Sequence, residues 1–393
     1  MHTIGIIAEY NPFHNGHRYQ LEALRRRLGN VSIVAAMSGS FTQRGEPAIL
    51  DKFTRAKSAM LGGVDLVVEL PFVFAARSAQ DFARGGVGIL SSLGISQLAF
   101  GSEVDDLSAI KKAAALIDDN DLKCILRKKL ASGDSYAKAL RAALATEVDE
   151  KILQPNAMLA IEYVRALRTT KIQPLLIKRV GANHNDIAID GAIASGSAIR
   201  AALPNFETIS KTVDARTLKA LQENSPPSIE KMFLPLQLKI INSTTEELRA
   251  IYGMSEGLEN KIIRAAREFS TYADMLNALV SRRYTRSRIQ RLMIRLMLKL
   301  KTEQIQKFDG VNYIRVLAFN ERGREVLHSI RNCGVPVVTK LARHLTTRMM
   351  YDKLSTLETY QQMLAFDVKA FELRELLCPK PRLGRDFLFN WKE

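Results

Sequence analysis

Cysteine is scarce in this chain: three in 393 residues, Cys124, Cys333 and Cys378, far apart in sequence. So sparse and odd a set excludes a disulfide framework and has no metal-ligand spacing, so no metal-binding residues are assigned. A reduced, cytoplasmic setting is the expectation. Long apolar runs are also missing. Val31 to Met37 and Leu66 to Phe74 are too short or too interrupted to span a bilayer, and no membrane partner is expected. The first residues lack a basic stretch and meet an acid at Glu9, which argues against a signal peptide. No Gly-Lys pair occurs, which excludes a Walker A loop. Internal repeats and low-complexity tracts are absent. Acid is in deficit, with 41 Asp plus Glu against 57 Lys plus Arg and a formal net charge of +16. Such a surplus points to a polyanionic partner, nucleic acid first; a basic enzyme with scattered surface lysines is the alternative. With 47% apolar and 25% charged residues, a large core is available and wholesale disorder is excluded. The length suits two or three domains.

The first half alternates strand-like runs (Thr3 to Ala8, Val31 to Met37, Asp65 to Glu69, Gln97 to Phe100, Pro174 to Arg179) with helical patterns (Gly16 to Leu28, Phe53 to Leu61, Asp81 to Leu93). That order predicts βαβ crossovers and a parallel sheet, with ligands at the carboxyl ends of the strands. Asp105 to Leu153 is helical and charged, an insertion or cover. A boundary falls near Pro204 to Pro227. Beyond it Leu236 to Ile251, Ser255 to Phe269 and Tyr272 to Val280 read as helices, while Tyr313 to Phe319 and Val335 to Thr339 hint that this half is not purely helical. The fold class is therefore α/β: a Rossmann-like parallel-sheet domain over residues 1–203, followed by a mostly helical, basic domain over 204–393.

The strongest chemical signal is Glu9-Tyr10-Asn11-Pro12-Phe13-His14-Asn15-Gly16-His17, after a strand and opening a helix. Its two histidines share one side of a helical turn. A helix N-terminus presents unpaired N–H groups and a positive dipole end, and attracts phosphate. Gly16 removes the side chain that would hold a phosphate off the backbone. Imidazoles then donate to phosphoryl oxygens, which suits adenylyl transfer. A zincin reading fails, since that helix needs His at i and i+4 around a Glu.

Strand, His14-x-Gly16-His17, helix resembles the nucleotidyltransferase superfamily, which shares its Rossmann-like fold with class I aminoacyl-tRNA synthetases. The longer strings are more specific. Met37-Ser38-Gly39-Ser40-Phe41-Thr42-Gln43-Arg44-Gly45-Glu46-Pro47-Ala48, Asp65-Leu66-Val67-Val68-Glu69-Leu70-Pro71-Phe72 and Phe100-Gly101-Ser102-Glu103, together with the nonapeptide above, resemble the bacterial tRNA(Met) cytidine acetate ligase family. The likeness continues at Tyr252-Gly253-Met254-Ser255-Glu256-Gly257-Leu258-Glu259-Asn260 and Arg283-Tyr284-Thr285-Arg286, and so covers nearly the whole chain.

The resemblance implies an enzyme that activates acetate with ATP to acetyl-adenylate and passes the acetyl group to N4 of the wobble cytidine of elongator tRNA(Met), giving N4-acetylcytidine. The chemistry is coherent: a mixed anhydride with AMP overcomes both a poor acyl donor and a poor amine nucleophile. By the same resemblance His14 and His17 are catalytic. ATP is surrounded by Ile7, Ala8, Glu9, Tyr10, Asn11, Pro12, Phe13, His14, Asn15, Gly16, His17, Arg18, Tyr19 and Gln20, and touched by Gly101, Asn156, Arg179, Ser197 and Arg200. For Asn156 a plain helix N-cap is the alternative, and for Arg179 a surface charge. Ser197 would cap a short helix, with Arg200 neutralising phosphate; Ser stands there where the family usually has Thr. Asn185 stands where a His is expected in Asn183-His184-Asn185-Asp186, so only Asp186 carries over. The loop Ser38 to Pro47 is a candidate lid or acetate site, with Arg44 as anion partner. Mg²⁺ is expected to accompany ATP, although no carboxylate cage is evident.

Residues 282–299 hold seven basic side chains, Arg282, Arg283, Arg286, Arg288, Arg291, Arg295 and Lys299, and no acid. Arg288, Arg291 and Arg295 fall on one helical face and Ile289, Leu292 and Leu296 on another, so the arginines are expected to track tRNA phosphates. Tyr284 beside them is a candidate for stacking on a flipped-out base. A solvated helix face packed on a core is the alternative. Two other functions remain open: a cofactor-type adenylyltransferase of the same fold, which the long basic half argues against, and a non-catalytic tRNA-binding protein.

Overall fold

The computed structural model describes residues 2–178, 189, 191–255, 257–330, 334–352 and 354–388. Its first strands carry near-continuous apolar sequence, TIGIIA in β1 (Thr3–Ala8) and SIVAAMS in β2 (Ser32–Ser38). Such runs suit strands covered on both faces. Alternate residues serve opposite faces. Ile7, Val34, Ala36, Leu66 and Val68 enter one core, while Ile4, Ile6, Ile33, Ala35, Met37 and Val67 enter the other. With β3 (Leu66–Leu70), β4 (Gln97–Ser102), β5 (Gln173–Lys178), β6 (Ile314–Phe319) and β7 (Val337–Val338), they form one seven-stranded sheet in the order β5-β4-β1-β2-β3-β6-β7. The first five strands are parallel, as the βαβ pattern requires, and β6 runs antiparallel to β3.

The helices that position the site follow these strands. α1 (Asn15–Leu28) packs Leu21 and Leu24, and α2 (Lys52–Leu61) packs Phe53, Ala56 and Ala59, against one face of the sheet. α3 (Ala79–Ser92) and α4 (Pro155–Leu167) cover the other face. The stretch expected to be helical and charged, 105–153, folds as three helices and a 3₁₀ turn. The run expected as one helix over Leu236 to Ile251 is two, Phe233–Ile241 and Thr245–Ala250, because Thr244 caps the second.

The C-terminal half is mostly helical, but its two strands join the N-terminal sheet. Its longest helix, α6, counted after α5 (Arg286–Leu298), spans Thr359–Leu376 and was not anticipated. Its buried residues run right around the circumference and include Asp367, Arg374 and Glu375, so it shows no apolar stripe to read. Phe371 of this helix lies in the core beneath β1 and β2. A buried ionic cluster ties the two halves together. Lys52, with no exposed surface, donates to both carboxylate oxygens of Glu69 at 2.9 and 2.8 Å and to Asp386 at 2.9 Å. Arg315 of β6 pairs with the same two acids.

Asp367 sits beside this cluster, accepting from the Phe72 N–H at 2.7 Å and from the Tyr313 hydroxyl. Burial, reinforced by the nearby Glu69 charge, pushes its carboxyl up to about 8. A carboxyl raised in the folded state stabilises the fold below its unfolded value, and that contribution is lost as pH rises through the folded value. The urea midpoint of the wild-type chain should therefore fall more between pH 6 and pH 9 than that of Asp367→Asn. Equal falls would remove Asp367 as the responsible group.

Candidate active site at the carboxyl end of the sheet

At the end of β1 the backbone turns sharply. Tyr10 takes a left-handed φ of 46°, unusual for a residue with a side chain, and Pro12 follows in a cis peptide. The turn delivers His14 to the N-cap of α1, where its Nδ1 accepts the Gly16 N–H at 3.1 Å. His17 reaches back, and its Nδ1 accepts the His14 N–H at 3.3 Å. The rings stack, with centroids 3.8 Å apart. Tyr10 and Phe13 pack on His17 at 4.8 and 5.6 Å. Because each Nδ1 is an acceptor, each neutral ring carries its proton on Nε2 and offers that N–H as its donor. Gly16 is required by this arrangement, since a Cβ there would lie 2.9 Å from His14 Cε1.

Beside the turn lies an open cleft of about 370 Å³. Of the expected nucleotide residues, Ile7, Ala8, Glu9, Tyr10, Asn11, Pro12, His14, Gly16, His17, Tyr19, Gln20, Gly101, Asn156, Ser197 and Arg200 line it, and so does Arg44. Three members of the expected stretch do not. Phe13 is buried in the core, Asn15 donates to the carbonyls of Ala192 and Lys211, both at 2.9 Å, and Arg18 turns to Asp214 at 3.8 Å. Ser38 is also corrected. It ends β2 with its hydroxyl enclosed and unpartnered, and it does not line the cleft. Arg179, Asn183, His184, Asn185 and Asp186 lie outside the described residues.

The loop after β2 is held by Arg55 of α2, which has no exposed surface. Its guanidinium donates to the carbonyls of Leu50 at 3.0 Å, Glu9 at 2.6 Å, Ser38 at 3.0 Å, and Gly39. Burial pulls its pKa down to about 10, still charged at neutral pH. The loop then meets Glu9, whose carboxylate accepts the Gln43 N–H at 2.6 Å. Burial raises the Glu9 pKa, opposed mainly by that hydrogen bond.

The cap expected at Ser197 and the cap given as the alternative for Asn156 both resolve differently. Ser195, not Ser197, caps the short helix Gly196–Ala202, accepting the Ala198 N–H at 3.0 Å. Ser197 accepts from Arg200 at 3.3 Å, and Arg200 also donates to the Asn11 carbonyl at 2.9 Å and pairs with Glu46 at 3.7 Å. Asn156 is not an N-cap either: Gln154 holds that position in α4. Glu103 instead closes the helix, accepting from Asn156 and from the Ala157 N–H.

Comparison with known proteins decides the family. The family described as HIGH Nucleotidyl Transferase matches residues 1–385. A tRNA(Met) cytidine acetate ligase of Caldanaerobacter subterraneus is 40% identical, over 88% of this chain and 90% of its own length. The chain belongs to the tRNA(Met) cytidine acetate ligase family. A Lysinibacillus sphaericus member is 34% identical over 96% of this chain and 94% of its own. The structure of Thermotoga maritima TmcAL bound with alpha-thio ATP aligns at a TM-score of 0.88 with 31% identity, covering 99% of this chain and 98% of that one.

For this family member the basic segment needs correction in part. Arg282, Arg283 and Arg286 are exposed. Arg295 is buried: it donates to the Ala76 carbonyl at 2.6 Å and lies over the Tyr252 ring, whose other neighbour is Arg77. Arg291 donates to the Gln43 carbonyl at 3.0 Å, and burial draws its pKa down to about 10. Arg288 bonds Ser255 at 3.0 Å and covers Tyr284, which is itself buried and so not placed to stack on a base. The inward arginines replace a phosphate-tracking face because the cleft loop packs on this helix; a Cβ on Gly45 would come within 2.7 Å of the Arg291 nitrogen. Gln43 and Glu46 line the cleft from within the loop expected as a lid or acetate site, though neither was singled out, and Glu103, which holds Asn156, was missed. Their position in the segments that follow β2 and β4, at the ligand edge of a parallel sheet, was the available signal.

Two outcomes follow from this geometry. Gly16→Ala should displace the His14 ring and weaken pyrophosphate binding roughly tenfold by calorimetry, about 1.4 kcal/mol, with little change in melting temperature. Arg55→Lys cannot reach the carbonyls that the planar fork holds and should cost about 3 kcal/mol of stability in urea titrations, since each bond to a charged donor contributes roughly 1.5–3.

Proposed function

We propose that this chain activates acetate with ATP and transfers the acetyl group to N4 of the wobble cytidine of elongator tRNA(Met). The observation that carries the reading is the stacked imidazole pair, each Nδ1 accepting a backbone N–H and each Nε2 carrying the N–H of its ring, at a helix N-terminus beside the cleft. In the first step an acetate oxygen attacks the α-phosphorus and the bond to pyrophosphate breaks. The two N–H donors meet the charge that builds on the phosphoryl oxygens. In the second step N4 attacks the acyl carbon, AMP leaves with the bonding pair, and N4 gives up a proton.

Among the described residues no group of three or more His, Cys, Asp or Glu is set to hold a metal ion. A Mg²⁺ ion entering with ATP would rest on the phosphate oxygens. Among the described residues, those lining the cleft run from Ile6 to Arg200, which supports a catalytic domain over residues 1–203. For the tRNA-binding role of residues 204–393, the exposed Arg282, Arg283 and Arg286 are the better candidates. Arg282 is partly engaged, pairing with Asp134 at 2.6 Å and helping hold that carboxyl down at about 2. Among the described residues no helix is long and apolar enough to cross a membrane.

Incubation with ATP, labelled acetate and total tRNA, followed by nucleoside analysis, should place the label in N4-acetylcytidine of elongator tRNA(Met). Absence of that nucleoside would overturn the reading. His14→Ala should lower acetate-dependent ATP–pyrophosphate exchange at least roughly a hundredfold, the scale of one lost transition-state donor, and leave tRNA affinity in filter binding nearly unchanged.

A further inference from the structure

Glu103 follows β4 directly, and its carboxylate takes three donors from the start of α4. Oε1 accepts the Asn156 N–H at 3.2 Å and Asn156 Nδ2 at 2.5 Å, and Oε2 accepts the Ala157 N–H at 2.8 Å. The N-cap itself, Gln154, supplies no side-chain bond. A carboxylate accepts only, so the Asn156 amide must turn its NH₂ toward Glu103. Its Oδ1 is left on the other side of the amide, on a residue that lines the cleft.

That polarity restricts what Asn156 Oδ1 can recognise, while the second N–H of the amide stays a donor. Phosphate and acetate oxygens are acceptors and cannot pair with an acceptor. The Glu103 charge also occupies the positive end of α4, so this helix has no surplus attraction for the triphosphate. The histidine turn is the better match for phosphate, which makes the Asn156 side of the cleft the match for the nucleoside.

We propose that Glu103 is a positioning residue that locks the Asn156 amide so that Oδ1 accepts a hydrogen bond from the nucleoside part of the bound nucleotide. This rests on reading the cleft as the ATP site. The donor is an N–H or O–H, and the adenine N6 amine and the ribose hydroxyls both have that chemistry.

The test is acetate-dependent pyrophosphate exchange without tRNA, using ATP, inosine triphosphate, 2′-deoxy-ATP and 3′-deoxy-ATP. Wild type, Asn156→Ala and Glu103→Gln are compared, with ATP affinity by calorimetry and melting curves alongside. In wild type the analogue lacking the donor should show a KM raised roughly tenfold at nearly constant kcat. Inosine triphosphate reports the amine and the deoxy analogues report the hydroxyls. In both variants that ratio should shrink toward one. A merely structural role for Glu103 would raise all four KM values together and preserve the ratio. The proposal is overturned if wild type treats all four alike, if either variant keeps the wild-type ratio, or if the defect is confined to acetyl transfer onto tRNA. Failure of wild type to bind ATP would sink the cleft assignment itself; intact ATP binding with an unchanged ratio would sink this proposal alone.

Discussion

One buried guanidinium organises the ligand edge of this protein. Arg55 reaches from α2 into the gap between the ends of β1 and β2 and takes up carbonyls from Glu9, Ser38, Gly39 and Leu50. Carbonyls enclosed without partners each carry a desolvation cost, and a planar donor with a fixed fork satisfies several at once. The histidine turn and the cleft loop thereby have a common fixed point. A second arginine, Arg374 of α6, grips the far end of the loop through the carbonyls of Ala48 at 3.0 Å and Ile49 at 2.8 Å.

The consequence is that the two halves of the chain are mechanically joined around the site. Arg291 holds Gln43, and Gln43 in turn donates to Glu9 and, through its side chain, to the Arg77 carbonyl at 2.9 Å. A helix that is basic in sequence thus spends part of its charge supporting the cleft loop, while Arg282, Arg283 and Arg286 at its N-terminal approach and Lys299 at its C-cap are exposed.

How much of this could be read from the residues depends on what each feature rests on. The parallel strands and the histidine turn were legible because they are local: near-continuous apolar runs, a Gly that makes room, and two histidines on one side of a helical turn. The fate of Arg291 and Arg295 was not, since helical spacing places a side chain on a face without saying what packs against it. The cap assignments slipped for a related reason. Ser195 and Ser197 both suit an N-cap, and the carboxylate that closes α4 comes from more than fifty residues upstream. α6 escaped because its polar residues are satisfied by tertiary partners, which removes the amphipathic signature.

The antiparallel pairing of β6 with β3 has a further bearing on how the chain must be handled. The sequence boundary near residue 204 divides the polypeptide but not the sheet. A fragment ending there would leave β3, Leu-Val-Val-Glu-Leu, with an open row of peptide groups along its outer side and Lys52 and Glu69 without Asp386 and Arg315. Bare apolar edges of that kind recruit other strands. The catalytic half in isolation is thus a poor candidate for a free-standing soluble piece, and completion of translation becomes a precondition for a quiet, non-adhesive sheet.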